Sequence, residues 1–454
     1  MAKGADLGNG KIGKLLFSLA VPTITAQVVN MLYNIVDRIY IGHMPDAGAQ
    51  ALTGVGLVLP VIMLISAFSA LIGMGGSPRA AIMMGKQKND EAERIMGNCL
   101  SALLVTSVLL TVAFQLFGEP LLWAIGASEA TIGYAVGYMR IYVFGTIFVQ
   151  LSLGMNAFIT TQGYTKVSML TVIIGAVCNI LLDPIFIFVL KLGVQGAALA
   201  TILSQGVSAF WVMRFLTGRK TTLKIRFAMM KPEAKVLLPV LALGISPFVM
   251  QSTESLLSVA LNSSLQKYGG DLAVGAYTII GSVMQMIMLP MQGLSQGAQP
   301  IISFNYGAGK IDRVKKATRL LITSTLVYSV SCWLLIMLVP QVLVRVFSND
   351  VELMGITVWA MRIFLAGTII FGAQTGCQQS FLALGQAKIS LILALLRKVI
   401  LLIPLIYILP LFFADKLMAV FLAEPVADVL AAITTFITFH LWCRRNLKPD
   451  NGIQ

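Results

Sequence analysis

Twelve stretches of more than twenty largely apolar residues run through this chain, at 15–41, 51–72, 97–117, 134–158, 167–190, 195–217, 237–264, 272–295, 320–340, 356–382, 389–412 and 417–441. Each is long enough to cross the roughly 30 Å hydrocarbon core of a bilayer as a helix. None alternates apolar and polar residues as a membrane β-strand would, so the expected fold is an all-α polytopic bundle of twelve transmembrane helices. Composition agrees: 57% of residues are hydrophobic and 11% charged, against roughly 45–50% and about 25% in soluble domains. The first stretch is too long, and with Asn30, Asn34 and Asp37 too polar, for a cleaved signal peptide.

The formal charge of +14 would suggest nucleic acid in a soluble chain. Here the positive residues sort by side. Lys3, Lys11, Lys14, Arg79, Lys86, Lys88, Arg94 and Lys166 precede a group of seven between Arg214 and Lys235. Five between Lys310 and Arg319, then Lys388, Arg444, Arg445 and Lys448, follow on the same side, 24 of the 33 basic residues in all. The opposite loops hold Lys191, Lys267, Arg345 and Lys416. The positive-inside rule therefore predicts cytoplasmic termini. The basic clusters are short and lack interleaved aromatics, which argues for topology and contact with membrane lipid, with no nucleic acid partner. Cys99, Cys178, Cys332, Cys377 and Cys443 lie in or beside apolar spans and read as small core residues. No glycine-rich phosphate loop follows a strand, and no nucleophile–base or metal constellation stands out, so the chain is expected to be no enzyme and to need no cofactor.

The chain also repeats itself. Met139-Arg140-Ile141 and Gly145-Thr146-Ile147 return as Met361-Arg362-Ile363 and Gly367-Thr368-Ile369, 222 residues later. The same interval relates Ala51 to Ala273, Pro78 to Pro300, Gly85 to Gly307, Asp90 to Asp312, Gly163 to Gly385 and Ser168 to Ser390. Six spans per half return the chain to its starting side, so the two lobes share one orientation about a pseudo-two-fold along the membrane normal. That is the parallel-repeat arrangement of secondary transporters, with the substrate path between lobes. The reading divides the chain into an N-lobe over 1–217, a basic linker over 218–236 and a C-lobe over 237–454. A channel can also be built from repeats.

Ionisable residues inside spans cost about 2.5–3.5 kcal/mol on insertion scales, so each needs a partner or a purpose. Asp37 in the first span and Asp183 in the fifth are two; Asn179, four residues before Asp183, shares its helix face. Pro184 removes a backbone donor, and Thr201 in the sixth span adds a hydroxyl. This set of hard oxygens suits Na⁺, or a proton shared between acids; a structural polar network is the other reading. At the repeat interval Asp183 becomes Leu405 and Asn179 becomes Leu401, so the second lobe lacks the set. It has instead Glu254, a lone acid in its first span with Gln251 nearby, read either as a substrate or proton site or as a bundle-facing structural acid. Arg397 and Lys398 face Asp428 and Glu424 on the next span and read as a structural charge cluster. Arg140 and Arg362, repeated in both lobes, read as structural. Met284, Met288 and Met291 form a stripe that either lines an adaptable cavity or packs the bundle.

At this point the motifs carry a resemblance. YNIVDRIYIG around Asp37, NAFITTQGYTK around Asn156, NILLDPIFIF around Asp183 and GAALATILSQ with Thr201 resemble the multidrug and toxic compound extrusion (MATE) family, in its MepA-like bacterial branch, over essentially the whole length. The resemblance implies an N-lobe cation site at Asp37, Asn179, Asp183 and Thr201, a hinge at Pro22, and a needed C-lobe acid at Glu254. Asn30, Tyr33, Asn34 and Asn156 are expected to line the cavity. One departure is Thr160-Thr161-Gln162, where many relatives carry an arginine.

The expectation is a cation-coupled (Na⁺ or H⁺) antiporter, a monomer of the bacterial inner membrane with both termini cytoplasmic. Its substrates would be small, amphipathic and often cationic compounds, moved by alternating access. The alternative is a lipid-linked saccharide flippase of the same wider superfamily.

Overall fold

The structure is a computed structural model that describes residues 4–44, 48–348 and 350–447. Lys3 and Lys448 of the basic set lie outside them. The described residues form helices without strands. We number the spans α1 (Ile12–Gly42), α2 (Gly48–Gly85), α3 (Asn89–Ile125), α4 (Glu129–Phe144 and Thr146–Thr161), α5 (Thr165–Val189) and α6 (Gly193–Leu216). A single helical stretch, Ala234–Gly307, holds the next two. Then come α9 (Ile311–Leu338), α10 (Val351–Ala383), α11 (Ala387–Phe412) and α12 (Lys416–Asn446).

The stretch Ala234–Gly307 has 74 residues, about 110 Å of straight helix at 1.5 Å per residue. No bilayer accommodates that. It breaks at Gly270, whose φ of 64° and ψ of −160° are non-helical, and a glycine takes them without a Cβ penalty. We call its arms α7 (234–270) and α8 (271–307). Both ends of the stretch touch the same half of α2: Gly244 meets Leu71, and Phe304 meets Gly85. The arms therefore fold back as a hairpin. Ten helices are long and apolar enough to cross a membrane, and the bent α4 makes eleven. With α7 and α8 counted separately, the twelve spans of the sequence are all present.

Two departures from the spans are local. α4 bends by 58° at Gly145, a kink the apolar pattern does not encode. α10 breaks at the equivalent Gly367, through the short 3₁₀ turn Leu365–Gly367. Beside these breaks, Gly145 lies against Ile202 of α6 and Gly367 against Asp428 of α12. The helices also outrun the apolar stretches on the basic side, so Arg79 sits within α2 rather than in a loop.

The pseudo-two-fold is visible in atoms. Gly85 is pressed on the Phe304 carbonyl, and Gly307 on the carbonyl of Ile82, the repeat equivalent of Phe304. Gly75 rests on α7 at Val240 and Gly244, while its equivalent Gly297 rests on α1 at Ala20. A side chain at any of these would push the lobes apart. Further bonds close this end: Thr23 Oγ1 donates to the Gly293 carbonyl at 2.5 Å, and Asn305 Nδ2 to the Leu7 carbonyl at 2.8 Å. Gln27 meets Gln296 and Gln299 meets Thr161. Among the described residues, every side-chain hydrogen bond between lobes lies in this basic-side half. The hydrogen bonds that join the lobes thus gather at the basic side, with Phe68 of α2 packed on Phe248 of α7 at 5.0 Å.

The basic segment between lobes is docked on one of them. Glu93 on α3 accepts the Lys224 amide at 2.9 Å and pairs with Arg226 at 2.7 Å. Asn98 accepts the Glu233 amide at 2.7 Å, and Arg94 pairs with Glu233. Gln162 accepts from Thr221 at 2.8 Å and from the Leu223 amide at 2.7 Å. Gln162 thus holds the linker through its side-chain amide oxygen.

Candidate functional site

In the N-lobe, α1, α5 and α6 converge on one polar point. Asn179 and Asp183 are buried, 2% and 0% exposed, and their four-residue spacing stacks them on one face of α5. Asn179 Nδ2 donates to Asp183 Oδ1 at 3.2 Å and reaches Thr201 Oγ1 at 3.5 Å. Thr201 donates to the Ala197 carbonyl at 3.0 Å, which leaves its lone pairs toward Asn179. The carboxyl of Asp37, arriving from α1, lies within hydrogen-bonding reach of that of Asp183. No ion pair joins Asp37 to the adjacent Arg38 among the described residues.

The unpaired atoms are the informative ones. Asp37 Oδ1, Asn179 Oδ1 and Asp183 Oδ2 are all buried and have no hydrogen-bond partner. Buried acceptors are normally satisfied, and here three oxygens of the same site are not. A proton or a hard cation would satisfy them. Directly after Asp183, Pro184 leads into a π-helical turn, Ile185–Val189, a device that widens the helix and often accompanies functional sites.

Two residues that sequence reasoning missed, Tyr138 and Tyr142, complete the surroundings, together with the expected Tyr33. Tyr138 on α4 stacks on Tyr142 at 6.0 Å, in one buried cluster with Ala197 and Ala198 of α6. Both lie among the buried residues of the N-lobe core. Tyr33 stands beside Asp37 on α1. Their spacing reads as ordinary helix packing.

In the C-lobe the sequence separates Glu254 from the charges of α11 and α12, but the structure joins them. Arg397 donates to Asp428 at 2.7 Å and Glu424 at 3.1 Å, and its guanidinium stacks over Phe371 at 4.5 Å. Lys398 donates to Glu254 at 2.7 Å and the Met250 carbonyl at 2.9 Å. Glu254 is thus not a lone acid. The two basic residues lie in a seven-residue π-helical turn, Leu396–Leu402. Being consecutive, they point to different neighbours, Arg397 to α12 and Lys398 to α7.

The remaining expected residues are placed as follows. Pro22 is buried in α1 next to Thr23, the residue bonded to the other lobe. Asn34 is exposed and bonds the Asn30 carbonyl at 2.6 Å. Asn156 accepts from Thr171 at 3.2 Å and donates to the Ser168 carbonyl at 3.3 Å, tying α4 to α5. Gln251 is partly exposed on α7. Met291 is 1% exposed in the C-lobe core, and Met284 and Met288 pack against that core. Met291 therefore packs the lobe, while Met284 and Met288 remain partly exposed at its edge. Arg140 pairs with Glu119 at 3.1 Å, and the two line a groove with Val136 and Gln195. Arg362 is exposed.

Comparison with known proteins places this architecture. A family model described as MatE matches residues 22–185 and again 247–408, once in each lobe. A relative named multidrug export protein MepA, from Staphylococcus haemolyticus, is 25% identical over 98% of this chain and 96% of its own. A crystal structure of MATE in the bent conformation superposes with a TM-score of 0.91, 24% identity and 98% coverage of both chains. An outward-facing structure of a multidrug resistance MATE family transporter gives 0.90 and 24%, covering 98% of this chain and 99% of that one. With both lobes matched in order along the chain, this multi-pass membrane protein belongs to the MatE family of transporters.

Proposed function

We propose that the chain is a secondary multidrug exporter that exchanges Na⁺ or H⁺ for amphipathic organic cations by alternating access. The observation that carries it is the trio of buried, unpartnered oxygens on Asp37, Asn179 and Asp183. The name of the Staphylococcus relatives supports the substrate class. Closure at the basic side, taken as cytoplasmic by the positive-inside rule, suits an outward-facing state that releases substrate and admits the coupling ion. Both termini are then cytoplasmic in a bacterial inner membrane, and one chain holds the whole path.

The energetics are adequate. One elementary charge moving inward at 100 mV contributes about 2.3 kcal/mol. At about 1.4 kcal/mol per tenfold, that supports roughly a 50-fold gradient of a neutral substrate. When the carboxyls of Asp37 and Asp183 hold an ion, their mutual repulsion is offset. When it leaves inward, the repulsion returns and favours recapture from outside.

The test is efflux from proteoliposomes under separately imposed sodium and pH gradients. Uphill movement of an organic cation with one gradient, lost when that gradient collapses, is expected. Downhill leakage insensitive to both would sink antiport, and translocation of a lipid-linked saccharide in place of the cation would identify a flippase.

A further inference from the structure

The C-lobe network holds three acids, Glu254, Glu424 and Asp428, against two bases, Arg397 and Lys398, and so has one more acid than base. Its members are not equally free. Arg397 is committed to Asp428 and Glu424, and its side chain and theirs are no more than 10% exposed. The stacking on Phe371 holds the guanidinium plane as well. The second pair is lopsided: the Lys398 side chain is 6% exposed, while that of Glu254 is 57% exposed. A half-exposed carboxylate inside a membrane span faces a water-filled gap rather than lipid. Glu254 is thus reachable from the gap on one side and held by an ammonium on the other. Tyr277 stands within electrostatic reach of Glu254 and packs edge-on to Phe364 at 5.7 Å, which adds aromatic surface near the acid.

We propose that Lys398 is a tethered counter-cation of Glu254 and that an organic monocation binds the C-lobe by displacing the Lys398 ammonium from that carboxylate. Lys398 thereby determines specificity: it lowers affinity for cations and leaves affinity for neutral analogues unchanged. The incoming cation neutralises Glu254, and the released ammonium retains the Met250 carbonyl on the same face of α7. With the cation bound, three acids stand against three cationic groups. The halves of the protein then divide the work, with the coupling ion on the acid pair of the N-lobe and the substrate on the ion pair of the C-lobe. This assignment rests on the exporter reading above.

Equilibrium binding of tetraphenylphosphonium and of neutral triphenylphosphine oxide to the detergent-solubilised full chain, without gradients, tests it. Lys398→Met is expected to bind the cation at least tenfold more tightly and the neutral compound as wild type does. Lys398→Arg, which keeps a counter-cation, should restore wild-type cation affinity, and Glu254→Gln should weaken cation binding at least tenfold. Should Lys398→Met fail to purify, Lys398→Gln carries the same expectation, since its amide still reaches a carbonyl. Unchanged or weaker cation binding in these lysine variants overturns the assignment, as does an equal change for both compounds, which marks a merely structural role. Absence of cation binding in every form instead sinks the organic-cation reading on which it rests.

Discussion

Gly85 and Gly307 occupy the same place in the two repeats, and each lies against the carbonyl of the residue three before the other, Phe304 and Ile82. The contact is the pseudo-two-fold axis made of backbone. Because it joins the lobes on the basic side, it has to part whenever the gap opens there.

A side chain at this seam acts as a wedge. Gly307→Leu should favour the form open on the basic side, since overpacking a tight contact costs about 1–3 kcal/mol. Amide exchange at the basic-side ends of α2 and α8 is expected to speed up about tenfold or more, with efflux falling. Unaltered exchange would show that the seam is not held closed by this contact.

Removing either acid of the N-lobe should uncouple transport. Asp37→Asn and Asp183→Asn keep the shape and hydrogen bonding of the site but lose the exchangeable charge. Uphill efflux driven by the ion gradient is expected to vanish while membrane insertion is retained. Thr201→Val loses one neutral oxygen, a net effect of about 1 kcal/mol, so ion affinity should fall roughly fivefold. Wild-type efflux rates in the two asparagine variants would remove the coupling role from this site.

Arg397 holds two buried carboxylates, so its loss should be felt as stability. Arg397→Leu strands both Glu424 and Asp428, and breaking a buried pair costs about 3–5 kcal/mol. A marked fall in thermal unfolding temperature in detergent is expected. Adding Glu424→Gln and Asp428→Asn to that background should recover much of it, because no unpaired charge then remains. Failure of the triple variant to recover stability would mean that Arg397 acts through packing on Phe371.

The docked linker gives a prediction outside the membrane. Glu93 is 4% exposed and takes both the Lys224 amide and the Arg226 side chain. Charged hydrogen bonds contribute about 1.5–3 kcal/mol each, so Glu93→Ala should release the segment. Trypsin cleavage at Arg219, Lys220, Lys224 or Arg226 is expected to accelerate at least tenfold. An unchanged cleavage rate would assign the docking to Gln162 and Asn98 instead.

Spans, sidedness and duplication were legible because each leaves a pattern along the chain. A bilayer needs about twenty apolar residues per crossing, so twelve stretches announce twelve helices even where α7 and α8 run on as one helical segment. A repeat at a fixed interval announces Gly85 opposite Gly307 once the lobes are paired. Asn179 and Asp183 could be placed together because four residues return a helix to the same face.

Contacts across the bundle leave no such pattern. Lys398 meets Glu254 from a helix far along the chain, through a π-helical turn that the apolar pattern does not encode. Tyr138 joins Ala197 and Ala198 of α6 in one buried cluster, and Met291 disappears into a core that its stripe alone could not distinguish from a cavity wall. By itself the amino-acid order determined how many times this protein crosses the membrane, which end of each helix is basic, and which acids stand inside. Tertiary structure decided which of those acids were left unpaired, at Asp37 and Asp183, and which was matched, at Glu254. The reason is physical: periodicity reports the face a residue shares with its own helix, whereas pairing depends on the partner helix that packing brings alongside.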